Sequence, residues 1–172
     1  MATLVLDPQP VEIDALLERR RRLGLDSGDE MWEGVLHMNP APHGRHSRIL
    51  QQLAVVLDGP SRAAGLLPSM GDFNLGTEGD YRVPDGGVHR PGPDRLYYPT
   101  AALVVEIVSP GDETWEKLPF YAAHDVDELL IVDPEKRSVD WLGLTDGEYR
   151  PIERSGLIGL GPSELAEQID WP

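Results

Sequence analysis

Cysteine is absent from all 172 residues. That excludes disulfides and thiolate metal sites, so a metal would have to be held by carboxylates, histidines or carbonyl oxygens. The absence also fits a cytoplasmic address. Lysine is scarce: Lys117 and Lys136 are the only two. No apolar run approaches the roughly 20 residues of a membrane-spanning helix. The most apolar windows, AALVVEIV and LLIV, read as buried strands. The opening MATLVLDPQPVEID has no basic segment followed by a long apolar one, so no signal peptide is expected. Neither a GxGxxG after a strand nor a GxxxxGK[ST] is present, which argues against a doubly wound nucleotide-binding fold. Internal repeats and low-complexity segments are also missing.

Positive charge is in short supply. Fifteen basic residues against thirty acidic ones leave a net charge of −15. Such a field repels a phosphate backbone at long range, so the chain is not a general nucleic-acid coat. A nuclease with this balance needs a local basic strip, bound metal ions, or a partner that delivers substrate. No protein partner is identifiable from the sequence.

The length predicts one domain, residues 1–172, with room for a substantial core. Pro10 to Leu23 has helical spacing, with Arg19 to Arg22 in its last turns. Those arginines either complement the helix dipole or form a phosphate-facing strip. Glu30 to Met38 reads as a strand. A core helix follows His43 and closes at Gly59-Pro60. Leu66 to Leu75 reads as a strand bent near Gly71, and Tyr81 to Arg90 as a strand pair or bulged strand around Pro84 and Gly86-Gly87. Ala101 to Ser109 is the best central strand, apolar on both faces except at Glu106. A helix is expected from about Asp112 to Ala123 and a strand from Glu128 to Asp133. Asp146-Gly147 marks a C-terminal β-hairpin. SELAEQI reads as a short helix capped by Ser163. The expected class is α/β or α+β, a mixed β-sheet flanked by helices.

Three residues carry candidate chemistry. Glu106 interrupts an otherwise apolar strand, where an unpaired carboxylate would cost several kcal/mol. It therefore needs a metal, a buried arginine or an edge position facing water. Asp85 lies in Pro-Asp-Gly, which is also ordinary turn chemistry. Lys117, taken alone, is an ordinary solvated helix lysine. Together the three supply what phosphodiester hydrolysis needs. Two carboxylates can hold a hard divalent cation such as Mg2+ or Mn2+, and an ammonium can orient water or stabilise the transition state.

The segments VPDGGVHRPG and LVVEIVSPGDETWEKLPFYAAHDVDELLIVDPEKRSV closely resemble a large bacterial family of restriction endonucleases within the PD-(D/E)XK nuclease superfamily. The matching positions are Pro84-Asp85, Glu106-Ile107-Val108-Ser109-Pro110, Lys117, Tyr121 and Asp133-Pro134. Upstream, Glu30, Gly34, Met38, Pro40 and His46 match as well, so the resemblance spans about residues 10 to 155. It implies a metal-dependent endonuclease acting on DNA, with Asp85, Glu106 and the Ile107 carbonyl as metal ligands. It implies Glu30 as an outer carboxylate and His46 as a water or phosphate contact. The superfamily's basic pattern places lysine two residues after the glutamate. Val108 stands there instead, so Lys117 on the next helix becomes the displaced carrier. Pro119 then matters, because proline is comfortable only in a helix's first turn. Either the helix is kinked, or it starts near Glu116 with Lys117 at its mouth. Cutting both strands calls for two sites, hence a homodimer. The competing readings are a non-catalytic binding or regulatory member of the fold, and a nuclease directed at RNA.

Overall fold

The computed structural model describes residues 3–7, 13–39, 42–111 and 113–172. Its elements, in chain order, are β1 (Leu4–Leu6), α1 (Asp14–Arg22), β2 (Glu30–Trp32), β3 (Val35–Met38), α2 (Gly44–Ala63), β4 (Leu67–Met70), β5 (Asn74–Thr77), β6 (Asp80–Arg82) and β7 (Gly86–His89). Then come β8 (Tyr97–Tyr98), β9 (Leu103–Ile107), a 3-10 turn (Trp115–Lys117), α3 (Leu118–Ala123), β10 (Glu128–Asp133), β11 (Ser138–Thr145), β12 (Glu148–Pro151) and α4 (Pro162–Ala166).

The expected mixed sheet flanked by helices is present, but the strands divide between two sheets. The first has the order β1-β3-β2-β6-β5-β8 and the second β12-β11-β10-β9-β7-β4. Each is antiparallel except at one junction: β5 with β8 in the first and β9 with β10 in the second. The chain passes from one sheet to the other at Gly71, between β4 and β5, and passes back at Pro84-Asp85, between β6 and β7. These two crossings are tied together, since the Gly71 amide donates to the Asp85 carbonyl at 3.0 Å.

The second sheet is covered on both faces. Leu103, Val105, Ile107, Leu130, Val132 and Trp141 pack with Ile49, Leu53 and Leu57 of α2 and with Leu165 of α4. Val104, Leu129, Ile131 and Leu142 pack with Phe120 and Tyr121 of α3 and with Leu75 of the first sheet. Side chains alternate along a strand. Glu106 therefore shares the face of Val104 and looks toward α3.

Several sequence expectations shift. Glu30 to Met38 is a hairpin, not one strand: Glu33 and Gly34 turn the chain at φ 49° and 88°. Leu66–Leu75 and Tyr81–Arg90 each break into strands of different sheets, because the bends at Gly71 and Pro84 carry the chain across the gap. Helix α2 runs one turn past Gly59, with Pro60 inside it. In that position the missing amide removes one bond near the helix end, and buried Ser61 follows. Gly161, not Ser163, is the N-cap of α4. The first predicted helix, Pro10 to Leu23, lies partly outside the described residues, which resume at Ile13. In α1, Arg20 pairs with Asp29 at 2.8 Å and Arg21 with Glu18 at 3.5 Å. Trp141 is a core residue, and Trp171 packs partly buried against the same core. The C-terminal hairpin forms as expected, with Asp146 and Gly147 at its tip.

Candidate active site

The five candidate side chains meet where the two sheets face one another. Glu30 comes from β2 in the first sheet and Glu106 from β9 in the second. Asp85 sits on the crossing between them. His46 comes from the first turn of α2, and Lys117 from the mouth of α3.

Lys117 is buried. Its Nζ donates to Glu30 Oε1 at 2.8 Å and to Glu106 Oε1 at 3.2 Å. Pro119 is accommodated without a kink. The helix begins at Leu118, so the proline occupies its first turn, and Lys117 closes the preceding 3-10 turn. Of the two arrangements open in the sequence, the structure has the lysine at the helix mouth. Tyr121, one turn on, donates its hydroxyl to Glu106 Oε1 at 2.5 Å. Glu30 is held from its own side: Oε1 accepts the Val83 amide at 2.9 Å and Oε2 the Trp32 indole N–H at 2.7 Å. Asp85 bridges. Its Oδ1 pairs with His46 Nε2 at 2.9 Å, and its Oδ2 accepts the Ile107 amide at 2.7 Å.

The cluster carries more negative charge than its cations balance. Burial pushes the Glu106 carboxyl up to about 8; Lys117 pulls the other way, while the charges of Asp85 and Glu30 add to the rise. Burial works against the Lys117 ammonium, but Glu106 and Glu30 outweigh it and hold it above its ordinary range. The two directions fit one picture. A single ammonium serves two buried carboxyl groups, its shorter bond goes to Glu30, and Glu106 holds its proton more readily than a free glutamate does. Tyr121 is pushed well above its ordinary value by burial and by Glu106. Burial opposes charge on His46 too, yet its bond to Asp85 raises it overall.

Asp72 was not singled out in the sequence, where Gly71-Asp72 reads as a bend. It is raised by burial and then by the nearby charge of Asp85, so it belongs to the same anionic cluster. Trp32 was also missed. It lies two residues from Glu30 on the same strand face, a spacing that could have flagged it.

A divalent cation is what the resemblance implies. Among the described residues, no three His, Asp or Glu side chains stand around one point to hold a metal. The donors at hand are carboxylate oxygens, and beyond the effect of burial the charge of Asp85 raises the proton affinity of both Asp72 and Glu106, which a cation would relieve. Mg2+ takes one or two protein carboxylates and keeps several waters, so this set of hard oxygens fits it.

Two mixed sheets flanked by helices, with Pro84-Asp85, Glu106 and a helix-borne lysine at their junction, define a restriction-endonuclease-like protein of the PD-(D/E)XK class. The chain belongs to the Uma2 family, described as putative restriction endonucleases, which it matches over residues 25–168. The chain is also similar in fold to the crystal structure of a putative nuclease belonging to DUF820 from Anabaena variabilis. That likeness has a TM-score of 0.67 at 16% identity and covers 81% of this chain and 90% of the other. No curated protein matches the sequence. Among the described residues no helix is long and apolar enough to cross a membrane.

Proposed function

We propose that this chain hydrolyses phosphodiester bonds in DNA with a divalent cation, Mg2+ or Mn2+, held by Asp85, Glu106 and the backbone carbonyl of Ile107. The observation that carries this reading is the burial of Lys117 between Glu30 and Glu106. A scarce residue type, eleven positions beyond Glu106 in sequence, ends on the same carboxylate.

A divalent cation in such a site supplies Lewis-acid polarisation of the phosphoryl group and a more acidic water. The chain's own residues do the rest. Lys117 stays charged, so it stabilises negative charge developing on the phosphate and orients the attacking water rather than taking its proton. Glu30 holds the ammonium in place. Tyr121 fixes the Glu106 carboxyl from the side of α3. His46 orients Asp85 and can contact water or a phosphate oxygen. Cutting both strands would take two such sites, which favours a homodimer.

One observation favours a second reading, a binding or regulatory role without catalysis. Lys117 is already satisfied by two carboxylates, on a chain carrying −15. The deciding experiment incubates the protein with Mg2+ or Mn2+ and supercoiled plasmid, single-stranded DNA or RNA. Plasmid nicking that disappears with EDTA and in Asp85→Ala is the expected result. Equal cleavage by Asp85→Ala would sink the site assignment. Cleavage of RNA alone would redirect the substrate, and no cleavage of anything would favour the second reading.

A further inference from the structure

Arg82 is buried on β6, yet it touches neither Asp85 nor Glu106. Its guanidinium lies over two aromatic rings, 4.2 Å from the centroid of Trp32 and 3.9 Å from that of Phe120. Its Nη1 donates to the Met31 carbonyl at 2.9 Å, to Asp80 Oδ1 at 2.9 Å and to the Tyr81 carbonyl at 3.2 Å. Its Nε is buried without a hydrogen-bond partner. The two ring faces add to the Asp80 ion pair, since a desolvated cation is attracted by the ring quadrupole.

The two rings belong to different halves of the site. Trp32 is on β2 and donates its indole N–H to Glu30. Phe120 is on α3, three residues after Lys117 and beside Tyr121. Met31, whose carbonyl Arg82 also holds, lies between Glu30 and Trp32. The residue after Arg82, Val83, donates its amide to Glu30 Oε1. The seat for Phe120 is also tight: a Cβ on Gly76 would lie 2.9 Å from Phe120 Cζ and 2.4 Å from the Asp80 carbonyl. Gly76 has φ +123°, a conformation that suits glycine.

We propose that Arg82 is a positioning residue. By stacking on Trp32 and Phe120 together, it fixes the strand that carries Glu30 against α3, which carries Tyr121 and starts directly after Lys117, and so sets the geometry of the Lys117–Glu30–Glu106 cluster. This rests on the nuclease reading for its functional consequence but not for its structural one. The tie is between β2 of the first sheet and α3. It does not depend on which nucleic acid is bound.

The test reads two indole N–H groups by NMR in the full-length protein. That of Trp32 reports the site, and that of Trp141, bonded to Glu128 at 2.8 Å in the core, serves as the internal reference. In Arg82→Met, the Trp32 indole should exchange with solvent at least about tenfold faster, the scale of one desolvated cation–π contact. Trp141 should keep its protection. Phe120→Leu leaves β6 untouched and should loosen the Trp32 indole in the same direction, because the strain crosses through Arg82. Arg82→Lys should restore part of the protection lost in Arg82→Met. In the cleavage assay, Arg82→Met should lower kcat with KM for DNA unchanged. If Trp32 is unaffected in Phe120→Leu, or if Trp32 and Trp141 loosen together, Arg82 is only a stabilising residue and the proposal fails. If the wild-type protein cleaves nothing while the indoles respond as stated, the nuclease reading fails and the tie stands.

Discussion

Lys117 keeps little contact with solvent, because it is buried against Glu30 and Glu106. Removing its charge leaves the buried Glu30 carboxylate without its cation, beside Glu106, in a poorly solvated place. Lys117→Met should therefore cost about 3–5 kcal/mol of stability, the usual penalty for breaking a buried ion pair from one side. Urea denaturation measures this. The double variant Glu106→Gln with Lys117→Met should recover part of the loss. A cost near that of a surface pair, below about 1 kcal/mol, would mean the ammonium is solvated after all. Histidines test the electrostatics independently. His46 is raised, chiefly by Asp85 acting against burial, whereas His89 is lowered by burial alone, packed edge-on to Phe73 at 4.8 Å. NMR titration should place His46 above and His89 below the ordinary value of about 6.5. The sign for stability follows. The folded state resists protonation at His89 more than the unfolded chain does, so stability falls as pH drops from the ordinary histidine value toward the folded one. His89→Phe should flatten that part of the pH dependence. A His89 that titrates above His46 would refute the burial argument.

At the scale of elements, the displaced lysine depends on how α3 begins. Pro119 stands at N2, where its fixed φ suits a helix start and proline is well tolerated. Pro119→Ala should then cost only about 0.4–1 kcal/mol, mostly through the freer unfolded chain, with the cleavage rate unchanged. A large fall in rate without a matching loss of stability would show that the proline holds Lys117 in place. The same element shows how far the sequence could be read. Asp85, Glu106, Lys117, Glu30 and His46 were legible because their spacing resembles a known family and because Glu106 breaks an apolar run. Glu128 shows what that second signal misses. It too is a buried carboxylate on a strand, but donors from Trp141, Ser155 and Gly156 satisfy it. The splitting into two sheets was not legible, since a local pattern cannot distinguish a bent strand from one that leaves its sheet at Gly71. Arg82 was invisible for a related reason. An arginine before Val-Pro-Asp carries no local sign of stacking, and its rings come from Trp32 and Phe120, far away in sequence.

At the scale of the molecule, the net charge of −15 and the anionic cluster point to the same measurement. Any salt stabilises a strongly charged chain by screening self-repulsion, and that effect is independent of any one site. A cation bound between Asp85 and Glu106 would add a second effect, because it would bind the folded state and not the unfolded one. At tenfold excess over Kd that is about 1.4 kcal/mol, or roughly 3–6 °C in Tm for a chain this long. Thermal unfolding in Mn2+ or Mg2+ should therefore exceed unfolding in a monovalent salt of equal ionic strength by that margin. Asp85→Ala and Glu106→Gln should each erase the excess and keep the screening part. Relief of crowding also predicts the pH trend. Burial pushes the Glu106 carboxyl up to about 8, so a cation there would compete with its proton, and the excess should grow as pH rises through that range. An excess that is the same in Asp85→Ala would assign the effect to the diffuse charge of the surface, and the cluster would lose its claim to a metal.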